Sequence, residues 1–368
     1  MRAVCSGLSH PCHEGAAHQS PVFCLMSLTA IALSGGIDSL VAASLLIEKG
    51  HNLIGIHFAT GFETVSAHDV EQSGKQIGIR TEILDCAKQF RAKVVDNFLR
   101  TYRIGQTPNP CLICNAAVKF GIVRSFALKL GADRFATGHY ARVRQNPDRR
   151  YSLLKGADLH KDQSYFLAFL DQEQLQSACF PLGNLTKAGV RTIAEEKGIF
   201  PAIRRESQDI CFIRESYRDF LQNEGGFSPS PGPITDTQGR LIGEHQGLHF
   251  FTVGQRRGIS CPASEPYYVV RLDTENNRLV VGFRNELLCP EFRVRDINWI
   301  SPPPSSPLSV HVRVRYRHNA VPATVFPESG RRARVCFEKP HPAVTPGQGA
   351  VFYRDEEVLG GGWIEVFG

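Results

Sequence analysis

At 368 residues the chain is too long for one ordinary hydrophobic core, so two or three domains are expected. Its 42% apolar and 21% charged content is that of a soluble globular protein, and no apolar run is read as a membrane span, which excludes a chain organised around spanning helices. A net charge of +6, from 42 basic and 36 acidic residues, suits an anionic partner but is too mild to demand one.

Residues 1–25 lack the continuous apolar stretch of a secretory signal, and Met26 opens the first strand-like run, so 1–25 reads as a disordered or mis-assigned extension. From there strand and helix alternate. Ile31–Leu33 is a short apolar run, Asp38–Lys49 a helix ended by Gly50, and Leu53–Phe58 the next apolar run. Helical patterns follow over Val65–Ile77, Cys86–Arg100 and Val118–Leu130, with Thr81–Leu84 and Arg134–Ala136 as further strands. Strands alternating with helices of this length predict a parallel sheet covered on both faces. Beyond about residue 205 helical periodicity fades. Gly225–Pro233 and the proline-rich 301–307 separate β-rich segments, and the alternation in Val310–Tyr316, Arg334–Phe337 and Ala350–Tyr353 predicts a small C-terminal barrel or sandwich.

Eleven cysteines, an odd number spread loosely along the chain, are not a disulfide framework. A reducing, cytoplasmic setting with a few functional thiols is expected.

Ser34-Gly35-Gly36-Ile37-Asp38-Ser39 follows a strand and opens a helix. Its glycines permit a tight turn that brings backbone N–H groups to an anion, its serines add hydroxyl donors, and the helix N-terminus favours negative charge. Asp38 can cap the helix or hold a Mg²⁺ that bridges phosphates. Without Gly-Lys-Ser/Thr this is not a Walker A loop. It resembles the signature of the PP-loop ATP pyrophosphatases, which split ATP between its α- and β-phosphates and adenylate a carbonyl oxygen. Within that superfamily, Thr107–Asn115, Ala136–Tyr140, Lys161–Phe166, Asp209–Ile213, Gly243–Gly247, Thr252–Gly258 and Val344–Gln348 resemble the tRNA-specific 2-thiouridylases, so the likeness runs from about Ile31 to Trp363.

The resemblance implies an α/β chain: a parallel-sheet PP-loop catalytic domain of the adenine nucleotide alpha hydrolase type (26–213), a small central adaptor domain (214–290) and a C-terminal β-barrel (291–368). It implies ATP and Mg²⁺ as cofactors, tRNA as substrate, a cysteine desulfurase or persulfide relay protein as sulfur donor, and a monomer. Ala32, Leu33, Ser34, Gly35, Gly36, Ile37, Asp38 and Ser39 would hold ATP, with Phe58 near the adenine and Gly138 near the nucleotide. Cys114 would be the nucleophile and Cys211 the persulfide carrier. His139, Lys161, Asp162, Gln163, Arg315, Tyr316 and Gln348 match positions that face tRNA. The family's second cysteine meets the first only through this resemblance; on its own, Cys211 between Ile210 and Phe212 reads as a buried structural thiol.

The chemistry needs thiolates, and Cys114, where a loop enters the Val118–Leu130 helix, is placed for the helix N-terminus to lower its pKa. One position departs from the family. Where many members carry Asp three residues before the nucleophile, this chain has Cys111. That creates Cys111-x-x-Cys114, and with Cys211 three thiolates, a set suited to a [4Fe–4S] cluster with one open iron. Persulfide and cluster routes both stand, as does Cys111 as a passive thiol.

Arginines recur in groups at 142/144, 149/150, 204/205, 256/257, 313/315/317 and 331/332/334. Arg313, Arg315 and Arg317 alternate on an expected strand with His311, so one face could track phosphates, with Tyr316 on the other. A wobble base must leave the anticodon stack to reach the ATP site, where His139 or Tyr140 could stack on it. Two other functions compete: a PP-loop ligase or amidotransferase acting on a small molecule, and a non-catalytic RNA-binding module. The cysteines argue against the first and the intact loop against the second.

Overall fold

The computed structural model describes residues 27–63, 65–202, 210–214 and 216–365; the expected extension 1–25, Asp209 and the Arg204/Arg205 pair lie outside them. Strands β1 (Leu28–Ala32), β2 (Asn52–Ala59), β3 (Arg80–Asp85) and β4 (Ala132–Ala136) form an all-parallel sheet with the two-residue β7 (Ala178–Cys179), in the order β3-β2-β1-β4-β7. The central strand β1 is apolar on both faces because both are covered. Ala30 and Ala32 join Phe90, Phe98 and Phe120 on one side, whereas Ile31 and the following Leu33 join Leu40, Val41 and Val190 on the other. Burying a side chain such as Ile31 or Leu40 contributes about 1.5–3 kcal/mol.

Helix α1 (Ile37–Glu48) and the helix Lys187–Glu196 pack together on one side of the sheet. On the other lie the continuous helix 87–103 and the helix Pro110–Lys129. The latter starts two turns before the expected Val118. Pro108 and Pro110 read as loop residues, but Pro110 occupies the first helical turn, where its missing N–H costs nothing. By length and composition this helix is apolar enough to cross a membrane, contrary to the sequence reading. Here Leu112, Val118, Phe120, Val123 and Ala127 are fully buried in the core beside the parallel sheet. Its Cys114–Val123 stretch is π-helical; at its end Arg124 N donates to Lys119 O, five residues back.

Strands β5 (Ala141–Gln145) and β6 (Tyr151–Lys155) leave the parallel sheet as a hairpin. After the helix Tyr217–Gly225, closed by Gly226 in the left-handed region, β8 (Gly232–Thr235), β9 (Leu241–His245), β10 (Tyr268–Asp273) and β11 (Arg278–Gly282) form a small sheet in the order β10-β11-β8-β9. The last strands are β12 (Leu288–Trp299), β13 (Leu308–Arg313), β14 (Val321–Glu328), β15 (Arg332–Pro342), β16 (Gly349–Arg354) and β17 (Glu357–Ile364). Pairing runs β12-β15-β14-β13-β16-β17, and β17 returns to β12, so the expected barrel is closed and has no free edge of its own. Alternate residues such as Phe292 and Val294, or Val310 and Val312, fill its interior. The hairpin is fastened to it: Leu153 and Leu154 pair with Val358 and Glu357, and Ser152 Oγ donates to Glu357 Oε1 at 2.6 Å. The barrel is therefore bonded to the β5–β6 hairpin that leaves the parallel-sheet domain.

Candidate active site at the end of the parallel sheet

Strand order reverses between β1 and β4, and in open parallel sheets ligands bind beyond the strand ends at such a reversal. The Ser34–Ser39 loop leaves β1 there, and Gly138 follows β4. Gly35 has φ +76°, a conformation that a side chain disfavours. Gly36 caps α1 with no side-chain bond, so the cap itself leaves the first N–H groups of the helix unserved. Ser39 Oγ donates to Gly36 O at 2.9 Å and lies 3.3 Å from Ser34 Oγ, so the two hydroxyls line one turn. Phe58, next to the last residue of β2, is half-buried, and the adjacent His57 Nδ1 contacts Leu33 O at 3.0 Å.

Asp38 neither caps α1 nor stands free. Its Oδ1 accepts from Tyr140 Oη at 2.8 Å, and Lys187 Nζ donates to Oδ1 and Oδ2 at 2.7 and 2.9 Å. Sequence reasoning missed Lys187, which lies 149 residues away and has no local motif of its own. A Cβ on Gly138 would lie 3.0 Å from the carbonyl carbon of Asp38 and 3.1 Å from Ser39 N. Since both are backbone atoms, Gly138→Ala is expected to push the loop away and cost about 1–3 kcal/mol. Urea unfolding and an ATP-binding titration would both register it, and unchanged nucleotide affinity would show that the loop tolerates the shift.

Cys111 and Cys114 lie one turn apart at the start of the helix Pro110–Lys129 and so share a face. Inside the helix rather than before it, Cys114 does not have the lowered pKa expected of it: burial pushes its thiol up to about 12, against the lowering effect of Lys119. Cys111 is raised to about 11, by burial first and then by Cys211. Cys211 is not a buried structural cysteine. It is solvent-exposed on a turn, held by its neighbour Phe212, which is buried among Phe62, Phe90, Phe98 and Phe220. Solvent reaches the residue, yet enough protein surrounds its sulfur for desolvation to raise its pKa too. The three thiols thus lie within electrostatic range of one another, and the fully buried Cys86 acts on Cys114 as well. All four are free.

The positions matched to tRNA contacts are largely spent on the protein. Gln348 Nε2 donates to the carbonyls of Thr107 and Pro108 at 3.1 and 2.9 Å, tying the barrel to the cysteine-bearing segment. Asp162 is 3% exposed and accepts from the backbone of Gly156 and Ser164. Gln163 clamps Tyr140 through both of its backbone groups. The expected stripe of Arg313, Arg315 and Arg317 does not form, because β13 ends at Arg313 and the chain turns. Arg313 Nε donates to His318 O at 2.9 Å across that turn, and Arg315 is drawn inward to Val253 O at 2.6 Å and to Thr345 Oγ1. Tyr316 packs on Phe166 with ring centroids 4.3 Å apart. His139 and Tyr140 are 8% and 3% exposed, so neither offers a ring to an incoming base in this state. His139 bonds Thr137 Oγ1 at 2.7 Å, and burial keeps its pKa well below the usual histidine value. Lys161 is half-buried, while Arg144, Arg149, Arg256, Arg257 and Arg317 are exposed.

Three family models match in succession: the tRNA methyl transferase HUP domain over residues 28–215, the tRNA methyl transferase PRC-barrel domain over 218–283, and the aminomethyltransferase beta-barrel domain over 290–364. A tRNA-specific 2-thiouridylase of Desulfosudis oleivorans is 50% identical over 92% of this chain and 95% of its own. The chain belongs to the tRNA-specific 2-thiouridylase family. Other 2-thiouridylases are similar over comparable lengths: one from Synechococcus sp. strain JA-3-3Ab is 47% identical, covering 91% of this chain and 92% of its own, and one from Geobacter metallireducens is 43% identical, covering 91% and 96%. The 2-thiouridylase family thus accounts for the parallel sheet, the middle sheet and the closed barrel together.

Proposed function

We propose that the chain is a tRNA-uridine 2-sulfurtransferase that converts a wobble uridine to 2-thiouridine at the expense of ATP. The observation that carries this reading is the continuity of one site. Cys111, Cys114 and Cys211 share the charge of Lys119, which also acts on His139; Gly138, next in the chain, abuts Asp38 and Ser39 of the loop. Adenylation and sulfur chemistry therefore meet at one place. Methyl transfer, which two of the domain descriptions name, needs neither an ATP loop nor paired thiols.

In this reading Ala32–Ser39 hold ATP, with Phe58 beside the adenine and Gly138 beside the phosphates. The uracil O2 attacks the α-phosphorus, and pyrophosphate leaves. The terminal sulfur of a Cys211 persulfide attacks C2, and AMP leaves with the C–O electron pair. The Cys114 thiolate then attacks the Cys211 sulfur, the S–S bond breaks toward the uracil sulfur, and a Cys114–Cys211 disulfide remains for a reductant to reset. Mg²⁺ is commonly held by one or two carboxylates and the nucleotide's own phosphates; Lys187 engages both Asp38 oxygens and Tyr140 one of them, so Asp38 would hold the ion only by giving up part of that pairing, and the ion would neutralise phosphate charge. The remaining exposed arginines, with Lys161, supply the cationic surface for tRNA. A cysteine desulfurase or a persulfide relay protein supplies the sulfur.

Pyrophosphate release from ATP that depends on tRNA, with 2-thiouridine in the digested product, is the expected result. Release without tRNA would favour a small-molecule ligase, no release an RNA-binding module, and either would overturn the reading.

Cys111 supports a second route. Three mutually interacting thiols suit the donor chemistry of a [4Fe–4S] cluster with Cys111, Cys114 and Cys211 as ligands, although no three His, Cys, Asp or Glu among the described residues are grouped to hold a single ion. Such a cluster would supply an open iron for sulfide. Protein purified without oxygen is expected, on this route, to carry about four iron and four sulfide per chain, lost in Cys111→Ala. Iron-free, folded protein after reconstitution would leave the persulfide route alone.

A further inference from the structure

Lys119 lies five residues after Cys114 within the π-helical stretch Cys114–Val123. In an α-helix of 3.6 residues per turn, five residues set two side chains about 140° apart. The i→i+5 winding instead turns Lys119 back over Cys114, and π-turns of this kind concentrate at functional sites. Lys119 is half-buried and, among the described residues, its ammonium has no hydrogen-bond or ion-pair partner. A cation withdrawn from water without a partner is costly unless an anion joins it. Its charge acts on sulfur: Cys111, Cys114 and Cys211 all feel it, and among the described residues no other cation stands among the leading influences on these three thiols. Among the described residues the other groups acting on these thiols include Cys86 on Cys114, Glu63 on Cys211 and Tyr316 by Cys111, none of them cationic.

We propose that Lys119 is the counter-charge for anionic sulfur in the transfer step, holding the terminal sulfur of the Cys211 persulfide and then the Cys114 thiolate as each attacks. This rests on the thiolation reading above. In that sequence the attacking groups are anions at a site where desolvation opposes charge, and negative charge moves from the persulfide sulfur to the departing AMP, then from Cys114 to the thiolated base. A fixed ammonium beside the thiols stabilises each attacking anion without gaining or losing a proton.

The test compares wild type with Lys119→Met, Lys119→Gln and Lys119→Arg in the full chain. First, with no substrate present, Cys114 and Cys211 are alkylated with iodoacetate and with iodoacetamide, and the modified peptides are quantified by mass spectrometry. A nearby positive charge favours the anionic reagent, so the iodoacetate-to-iodoacetamide rate ratio is expected to fall on the order of five-fold in the neutral variants and to persist in Lys119→Arg. Second, single-turnover thiolation is expected to fall roughly 100-fold in the neutral variants, with tRNA-dependent pyrophosphate release within about two-fold of wild type and partial recovery in Lys119→Arg. An unchanged alkylation ratio, or loss of pyrophosphate release in step with thiolation, would overturn the proposal; the latter would assign Lys119 to the nucleotide. If the wild type itself releases no pyrophosphate with tRNA, the thiolation reading falls and the role in transfer with it, even where the alkylation ratio places the ammonium beside the thiols.

Discussion

Cys211→Ser is expected to reduce 2-thiouridine formation by roughly 10³-fold or more while leaving tRNA-dependent pyrophosphate release within a few-fold of wild type. The hydroxyl is close in size to the thiol, and the residue is exposed on its turn, so the fold has little reason to change. What disappears is the second sulfur of a persulfide, which an oxygen cannot carry. Cys114→Ser separates the two thiols by a different signature. Its Cys211 persulfide still attacks the adenylated base, but nothing then cleaves the bond between Cys211 and the transferred sulfur. A protein–tRNA disulfide should accumulate, visible as a shifted band on a denaturing gel and released by dithiothreitol. Cys111→Ser should keep most of its activity on the persulfide route and lose as much as Cys211→Ser on the cluster route. Equal loss of pyrophosphate release in Cys211→Ser would place that residue in nucleotide binding and end the persulfide assignment.

What could be read from sequence was what lies close together in it. The Ser34–Ser39 loop is contiguous, and its strand, glycines and helix identify it without help from distant residues. Cys111-x-x-Cys114 is visible for the same reason. The start of its helix was misplaced because proline argues both for a loop and for a first helical turn, and only packing decides between them; with that boundary went the expectation of a lowered Cys114 pKa. The arginine stripe failed for a related reason. Alternation shows which face a residue takes if the strand continues, but β13 stops where Arg313 bonds back to His318 O and Arg315 turns inward to the barrel's 345 loop and Val253. Closure of the barrel by β12 and β17, and its fastening to the β5–β6 hairpin, depend on pairings about 65 and 200 residues apart in the chain, which no local pattern encodes.

The Asp38–Lys187 pair is the longest-range feature of the loop, and its two halves should not be equivalent. The Lys187 side chain is 7% exposed and that of Asp38 33%. Asp38→Ala strips a buried ammonium of the carboxylate to which it makes two bonds, and breaking such a pair from that side costs about 3–5 kcal/mol. Lys187→Met leaves a carboxylate that water reaches and that Tyr140 Oη still serves, so about 1–3 kcal/mol is expected. The methionine also keeps much of the buried length of the lysine, which limits any cavity. Urea unfolding, with hydrogen exchange along α1 to localise the change, would read both costs. Adding Lys187→Met to Asp38→Ala should cost less than the two single changes together, since the ammonium that lost the Asp38 carboxylate is now absent; the shortfall, on the order of 1–3 kcal/mol, is the coupling. Both single variants should lower tRNA-dependent pyrophosphate release by roughly 100-fold or more if, as proposed, the turn that the pair fixes is the one that holds the phosphates. Strictly additive costs would show that the two groups do not sense each other, and normal pyrophosphate release in either variant would separate the pair from ATP chemistry and reduce it to a clamp between two helices.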